Sequence, residues 1–163
     1  MGRLSLRWLL TLLLSCAVLW FPGEAMACIP GLQWGMDSST VEQRLEVSLG
    51  TARSAAGNDS SAVYRVNKLH IGDLPVEQLD LRFGSKGLNQ LVYSLQGDAM
   101  TEVLAGLKTR YGSPVSTTME HGDQGRQQIW IWNTGDDCIT AVRPDDQTFL
   151  LSYRPSRLRP SLL

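Results

Sequence analysis

Two histidines, His70 and His121, are the residues of this 163-residue chain best suited to acid–base or metal chemistry. His70 falls in a segment that predicts a β-strand, so we interpret it as an ordinary sheet residue. His121 lies in a predicted loop beside Asp123, where an imidazole and a carboxylate could form a general base or a metal pair. Neither histidine has a second nitrogen or sulfur ligand at motif spacing, so the sequence predicts no metal site and no cofactor.

Two pairs of adjacent aspartates, Asp136-Asp137 and Asp145-Asp146, are the other candidates for acid–base work. Both pairs fall in predicted turns, where aspartate is favoured for local hydrogen bonding. Adjacent residues on a strand point to opposite faces, which does not suit paired catalytic carboxylates. The chain has no nucleophile-elbow, phosphate-loop, dinucleotide, zinc-protease or C-x-x-C motif. We therefore predict a protein that is not an enzyme, and keep a small hydrolase using His121 as an alternative.

The cysteines predict a disulfide between Cys28 and Cys138, because the third cysteine, Cys16, lies in an N-terminal apolar segment. Such a bridge would close a loop of about 110 residues, for which chain-entropy models give roughly 4 to 5 kcal/mol. The alternative is lipidation of Cys28, or of Cys16, which would attach the protein to a membrane. Without a lipid, no contact with a membrane is expected.

Residues 1–27 have the organisation of a secretory signal peptide. Arg3 and Arg7 precede an apolar run from residue 8 to residue 21, and Ala25-Met26-Ala27 offers small residues for a signal peptidase. The run is shorter than the roughly 20 residues of a membrane span. We therefore expect a periplasmic or secreted protein, with an uncleaved anchor as the alternative.

The charge balance does not favour a nucleic-acid partner, and we predict none. The formal net charge of the chain is −1, and removal of Arg3, Arg7 and Glu24 with the signal peptide would leave about −2, too weak and mixed for binding a polyanion. The basic residues of the C-terminal end are interrupted by prolines. Residues 155–163 are therefore predicted to be a flexible tail.

A pattern of apolar residues that predicts an amphipathic helix occurs twice in the chain, and the two helices would form part of the scaffold that positions any functional residues. Apolar residues at steps of four, which form one stripe of a helix, precede a glycine that can end the helix. The pattern occurs as Val41-x3-Leu45-x3-Leu49-Gly50 and as Val103-x3-Leu107-x3-Tyr111-Gly112. Asp37, Ser38 and Ser39 are N-cap candidates for the first helix, and Glu42 lies at capping-box spacing from Ser39.

Alternating segments after each helix predict antiparallel strands over residues 62–71, 78–83, 88–95, 115–119, 127–132, 138–142 and 148–153. A shift of 60 residues superimposes Leu79, Leu81, Leu91 and Tyr93 on Ile139, Ala141, Leu151 and Tyr153. We predict an α+β fold built from a duplicated helix-plus-strands unit, with one continuous antiparallel sheet and two helices on one face. The domain spans residues 28–154, in repeats of about 35–96 and 97–154.

Trp130 and Trp132 are the predicted binding residues. Residues two apart on a strand share a face, and Ile129 and Ile131 share the other. If the tryptophans point away from the helices, they form an aromatic ridge suited to a protein or glycan. The alternative is that both are core residues.

Gly35-Met36, followed by Val41 on a helix that ends in glycine, resembles the motif of bacterial outer-membrane assembly lipoproteins of the BamE/SmpA kind. The layout of two helix-plus-sheet repeats is similar to that of tandem β-lactamase inhibitor proteins. These resemblances imply a non-enzymatic envelope domain that acts through protein contacts, and they transfer no catalytic residue. The expected function is a protein-binding or assembly module of the cell envelope. Inhibition of a secreted enzyme is the alternative.

Overall fold

The structure is a computed structural model that describes residues 29–49, 53–54, 62–67, 69–122 and 125–157. The predicted signal peptide and Cys28 lie outside the described residues. Within these ranges, no helix is long and apolar enough to cross a membrane.

Eight strands form one antiparallel sheet, and two more form a separate hairpin. The strands are β1 (Arg53–Ser54), β2 (Ala62–Val66), β3 (Leu69–Ile71), β4 (Leu74–Val76), β5 (Gln78–Gly84), β6 (Gly87–Gln96), β7 (Ser116–Gly122), β8 (Gly125–Asn133), β9 (Asp137–Arg143) and β10 (Thr148–Pro155). The order in the large sheet is β1-β2-β5-β6-β10-β9-β8-β7. Strands β6 and β10, the last strand of each half, therefore pair at the centre.

The single strand predicted over residues 62–71 is wrong, because the chain leaves the sheet after Val66. Strand β3 instead pairs with β4 in a hairpin that turns at Gly72, whose φ is 60°. A glycine tolerates this left-handed conformation without steric cost. Val76 is buried and brings the hairpin onto the edge of the core.

Helix α1 (Ser38–Leu45) begins as predicted and ends earlier. The carboxylate of Asp37 caps it by accepting the Thr40 backbone N–H at 3.0 Å. A hydrogen bond from the Ser39 hydroxyl, and then the bond from Thr40, hold the pKa of Asp37 well below its usual range. Glu42 forms no capping box with Ser39, since its carboxylate accepts the Leu49 N–H at 2.7 Å. That bond draws the chain back over the helix end, where Glu46 is left-handed (φ 54°).

Helix α2 (Met100–Tyr111) ends where the sequence predicted, at Gly112 with φ 79°. A short 3₁₀ turn, Gly97–Ala99, precedes it. Val41 of α1 and Val103 and Leu107 of α2 join the buried residues of one sheet face in a single hydrophobic core. The α+β fold with two helices and a mostly antiparallel sheet is therefore confirmed.

Candidate functional site

Trp130 and Trp132 lie on the helix-covered face of the sheet. Their cross-strand partners in β9, Ala141 and Ile139, are fully buried core residues, and the pleat places each pair on one face. Trp132 is 3% exposed, and its Nε1–H donates to the Gly112 carbonyl at 2.9 Å. Trp130 is half-buried against the core. The predicted exposed aromatic ridge is wrong, and the core alternative holds.

Ile129 and Ile131 consequently point to the other side of the sheet, which we call the open face. Ile129 pairs with Val142, and Val142 pairs with Leu150, so three aliphatic side chains adjoin across β8, β9 and β10. Val92 of β6 lies on the same face. All five are half-buried and outside the core cluster. The open face therefore has an aliphatic centre.

Polar side chains flank this aliphatic centre and bind one another. Asp80 accepts hydrogen bonds from Arg65 Nε at 3.0 Å and from Gln78 Nε2 at 2.9 Å. Gln90 Nε2 donates to the Ser152 hydroxyl at 2.8 Å. These bonds fix the direction of the polar groups, so the surface is ordered before any ligand arrives.

A cleft of about 570 Å³ lies at one end of the open face. We call it the arginine cleft, and its lining residues are Asn89, Gln90, Asn133, Cys138, Arg154, Pro155, Ser156 and Arg157. Cys138 is half-buried there and pairs with Arg154 across β9 and β10. Because Cys28 lies outside the described residues, the disulfide between them remains a prediction.

Both histidines are exposed and lie away from the arginine cleft. His70 pairs with Pro75 in the β3–β4 hairpin, as an ordinary strand residue. His121 pairs with Arg126 near the end of β7, and Asp123 lies outside the described residues. In the described part of the chain, no three histidine, cysteine or acidic residues are grouped to hold a metal ion.

Two of the four turn aspartates, Asp145 and Asp146, form local contacts through their carboxylates, and Asp136 forms a longer-range contact through its backbone. Asp145 accepts the backbone N–H groups of Gln147 and Thr148, at 2.8 and 2.7 Å, which lowers its pKa. Asp146 forms an ion pair with Arg143 at 2.7 Å. The Asp136 carbonyl accepts the Ser156 N–H. These contacts stabilise turns, as the sequence indicated.

Asp137 differs from the other turn aspartates because it is buried, at 6% exposure, on the helix-covered face. Burial raises the pKa of its carboxyl group, and the hydrogen bond from Trp34 Nε1 (2.8 Å) opposes that rise. The bond fastens the segment before α1 to a strand of the second half. The sequence did contain a signal, since Asp137 is in phase with the core residues Ile139 and Ala141.

No family model matches the chain, and no curated protein matches it. Among solved structures, the chain is similar to a DUF4309 family protein, YjgB, from Bacillus subtilis. The identity is 16% and the TM-score 0.47, and the match covers 78% of this chain and 84% of that one. This likeness is too low to carry an argument, so the functional proposal depends on this chain's own geometry.

Proposed function

We propose that this chain is an exported, non-enzymatic protein-binding module of the cell envelope, and that its open face contacts the partner. The observation that carries the proposal is the aliphatic centre of that face, where Ile129, Val142 and Leu150 adjoin outside the core. An apolar centre with a polar margin is the usual anatomy of a protein–protein interface. The bonded polar groups beside it would set the register of a partner.

Export is part of the proposal, and the packing after Ala27 is compatible with it. Leu32 is fully buried, and the Gly35 N–H donates to the Leu88 carbonyl at 2.8 Å. The segment from Ile29 onward thus belongs to the fold. Cleavage after Ala27 would leave each of these contacts intact.

We further propose that the fold arose by duplication of one helix-plus-strands unit. The β5–β6 hairpin pairs Leu79 with Tyr93, and the β9–β10 hairpin pairs Ile139 with Tyr153, which is the same register at a shift of 60. Strand β2 pairs Val66 with Leu79, and strand β8 pairs Trp132 with Ile139. The strands β2 and β8 therefore correspond at a shift of 66 residues. The β3–β4 hairpin lies between β2 and β5, where the six additional residues of the first half fall.

The connection before each helix supports the same proposal. Gly35, before α1, binds Leu88 next to the β5–β6 turn. Gly97, before α2, donates its N–H to the Gln147 carbonyl at 2.7 Å in the β9–β10 turn. Each helix is therefore tied to the last hairpin of its own half. A duplicated sheet of this kind offers one open face that extends over both halves.

The test places a charge in the proposed interface. Ile131→Arg adds a guanidinium to the open face, and Val115→Arg adds one at a valine that is 68% exposed outside it. Both variants should fold, as judged by circular dichroism and thermal unfolding. Crosslinking in the envelope of the source organism should capture a partner with the wild type and Val115→Arg, and lose it with Ile131→Arg. Retention of the same partner by Ile131→Arg would exclude the open face.

The alternative functions predict different outcomes in the same experiment. An inhibitor should capture a secreted enzyme, and addition of the purified protein should lower that enzyme's activity. A hydrolase that uses His121 should lose turnover in His121→Ala while the open-face variants keep it. An assembly module should show neither effect.

A further inference from the structure

Among the residues that the structure describes, the lining of the arginine cleft is rich in hydrogen-bond donors and contains no carboxylate. Its lining residues include two arginines, Arg154 and Arg157, together with three residues that carry amides, a serine and a cysteine. Its volume of about 570 Å³ falls within the range of small-molecule sites. The lining residues therefore carry a net positive charge, whereas the formal net charge of the whole chain is −1.

Three arginines elsewhere in the described residues have a counter-charge or a ring contact. Arg65 is ion-paired with Asp80, and Arg143 with Asp146. Arg110 lies over the Tyr111 ring. Neither Arg154 nor Arg157 forms an ion pair with any residue that the structure describes. Arg154 and Arg157 are set apart from the remaining unpaired arginines because both line the same cleft, where their charges can act on one ligand.

The walls of the cleft are fixed by hydrogen bonds. Past the end of β10, Ser156 donates its N–H to the Asp136 carbonyl at 2.7 Å and its hydroxyl to Asn133 Oδ1 at 3.0 Å. On the opposite wall, Gln90 is bound to Ser152. Residues 155 and 156, predicted as tail, are thus tied to the sheet, since Pro155 also pairs with Asp137. A ligand would meet donors that are already ordered, which lowers the entropic cost of binding.

We propose that the arginine cleft binds a small organic anion through a carboxylate or phosphate group. Guanidinium groups match the geometry of both oxyanions and can bind them in a bidentate manner. Arg154 and Arg157 hold the charged group, while Cys138 and Pro155 contact its carbon skeleton. The cleft lies at one end of the open face, and an anion bound there requires no protein partner on that face.

Thermal unfolding of the full-length protein tests the proposal. Succinate and inorganic phosphate serve as probes, against sodium chloride at equal ionic strength. At about ten times Kd, a bound anion should raise Tm by about 3–6 °C. A rise with succinate alone assigns a carboxylate, a rise with phosphate alone assigns a phosphoryl group, and a rise with both assigns the shared oxyanion chemistry.

Variants connect the Tm rise to the cleft. Arg154→Gln and Arg157→Gln should abolish it, whereas Arg44→Gln, which removes an equal charge from exposed α1, should retain it. Ile131→Arg should also retain it, which separates this inference from the proposed function. The absence of any rise above that in chloride, or an equal rise in the Arg154 and Arg157 variants, would overturn the proposal.

Alkylation of the reduced protein at Cys138 gives a second measurement that does not depend on stability. Negatively charged iodoacetate and neutral iodoacetamide both alkylate the thiolate. Iodoacetate adds a carboxymethyl group to the sulfur and iodoacetamide adds a carbamidomethyl group, and each releases iodide. Site-resolved mass spectrometry gives the rate ratio at Cys138. Loss of one nearby positive charge should lower the iodoacetate/iodoacetamide ratio by about threefold in Arg154→Gln. An unchanged ratio would contradict a local positive field.

Discussion

The rings of Tyr93 and Tyr153 meet edge to face with their centroids 6.1 Å apart. Each is 3% exposed. Tyr93 belongs to β6 and Tyr153 to β10, the two strands that pair at the centre of the sheet. Tyr93 pairs with Leu151, and Leu91 pairs with Tyr153, so the contact is reciprocal across the junction of the two halves. This junction makes the open face continuous.

The first prediction is that the two tyrosines are energetically coupled. Tyr93→Leu and Tyr153→Leu each remove one ring, and the double variant completes a thermodynamic cycle. Edge-to-face pairs are worth about 0.5–1.5 kcal/mol beyond area burial, so the double variant should cost less than the sum by about that amount. Denaturant unfolding measures the coupling.

A control cycle uses Tyr64 and Tyr153. Tyr64 lies in β2, three strand spacings from β10 in the sheet, or roughly 14 Å. Substitutions this far apart should be additive within about 0.5 kcal/mol. Equal coupling in both cycles would mean that global loosening, and not the ring contact, produced the first result.

The sequence predicted the strands of this central region well, because the alternation of apolar and polar residues along each strand agrees with the observed pairing between strands. Leu79, Leu81, Leu91 and Tyr93 are in phase on their strands, and all are buried. Alternation shows which residues share a face without showing which face is covered. For Trp130 and Trp132, the covered side follows from packing under α2, including the bond from Trp132 to Gly112. No local pattern contains that information.

The arginine cleft could not be predicted because its walls come from distant parts of the chain. Asn89 and Gln90 meet Arg154 and Arg157 only after β6 has paired with β10. The end of α1 was missed for a different reason. The Glu42 carboxylate accepts the Leu49 N–H, and this local side-chain bond, with the left-handed Glu46, ends the helix before the four-residue apolar pattern does. The apolar pattern nevertheless identified Leu49 as buried.

The second prediction compares the two tryptophans. Trp132→Phe removes the donor to Gly112 and leaves a carbonyl at the end of α2 without this partner. Gly112 is exposed, so water can replace the donor and loss of the bond costs about 0.5–1.5 kcal/mol. The smaller ring also leaves space unfilled at a site that is 3% exposed, which adds to the cost. Trp130→Phe keeps most of the aromatic surface against Phe149, 6.5 Å away, and should cost less than about 1.5 kcal/mol. Denaturant midpoints measure both, and a greater loss in Trp130→Phe would contradict the assigned roles.

The third prediction concerns pH and the buried Asp137. Because burial raises the pKa of its carboxyl group, the native state binds more protons than the unfolded state between about pH 4 and the raised value. The contribution of Asp137 to stability is therefore present below that window and is lost as pH rises through it. Asp137→Asn retains an oxygen acceptor for Trp34 and cannot ionise.

Thermal unfolding from pH 3 to pH 8 measures this effect. Relative to Asp137→Asn, the wild type should be most stable at the acid end and lose stability toward neutral pH. Asp73→Asn, which removes an exposed turn carboxylate, corrects for the general change in charge. If the difference in stability between wild type and Asp137→Asn were the same at every pH, the pKa of Asp137 would be equal in the folded and unfolded states, which would contradict the prediction.

The fourth prediction compares the effect on stability of replacing two glycines of the second half, Gly97 and Gly106, with alanine. A Cβ at Gly97 would clash with the Asp146 carbonyl oxygen, a backbone atom of the β9–β10 turn. A Cβ at Gly106, within α2, would meet nothing within 4 Å. Gly97→Ala must separate α2 from the β9–β10 turn and should destabilise by about 1–3 kcal/mol. Gly106→Ala should stabilise by about 0.5–1 kcal/mol, because alanine loses less backbone entropy in a helix.

Urea unfolding measures the free energy of unfolding of both variants. We expect the two substitutions to change it in opposite directions. A neutral Gly97→Ala would show that the turn moves freely, and the tie between α2 and its hairpin would then not stabilise the second half.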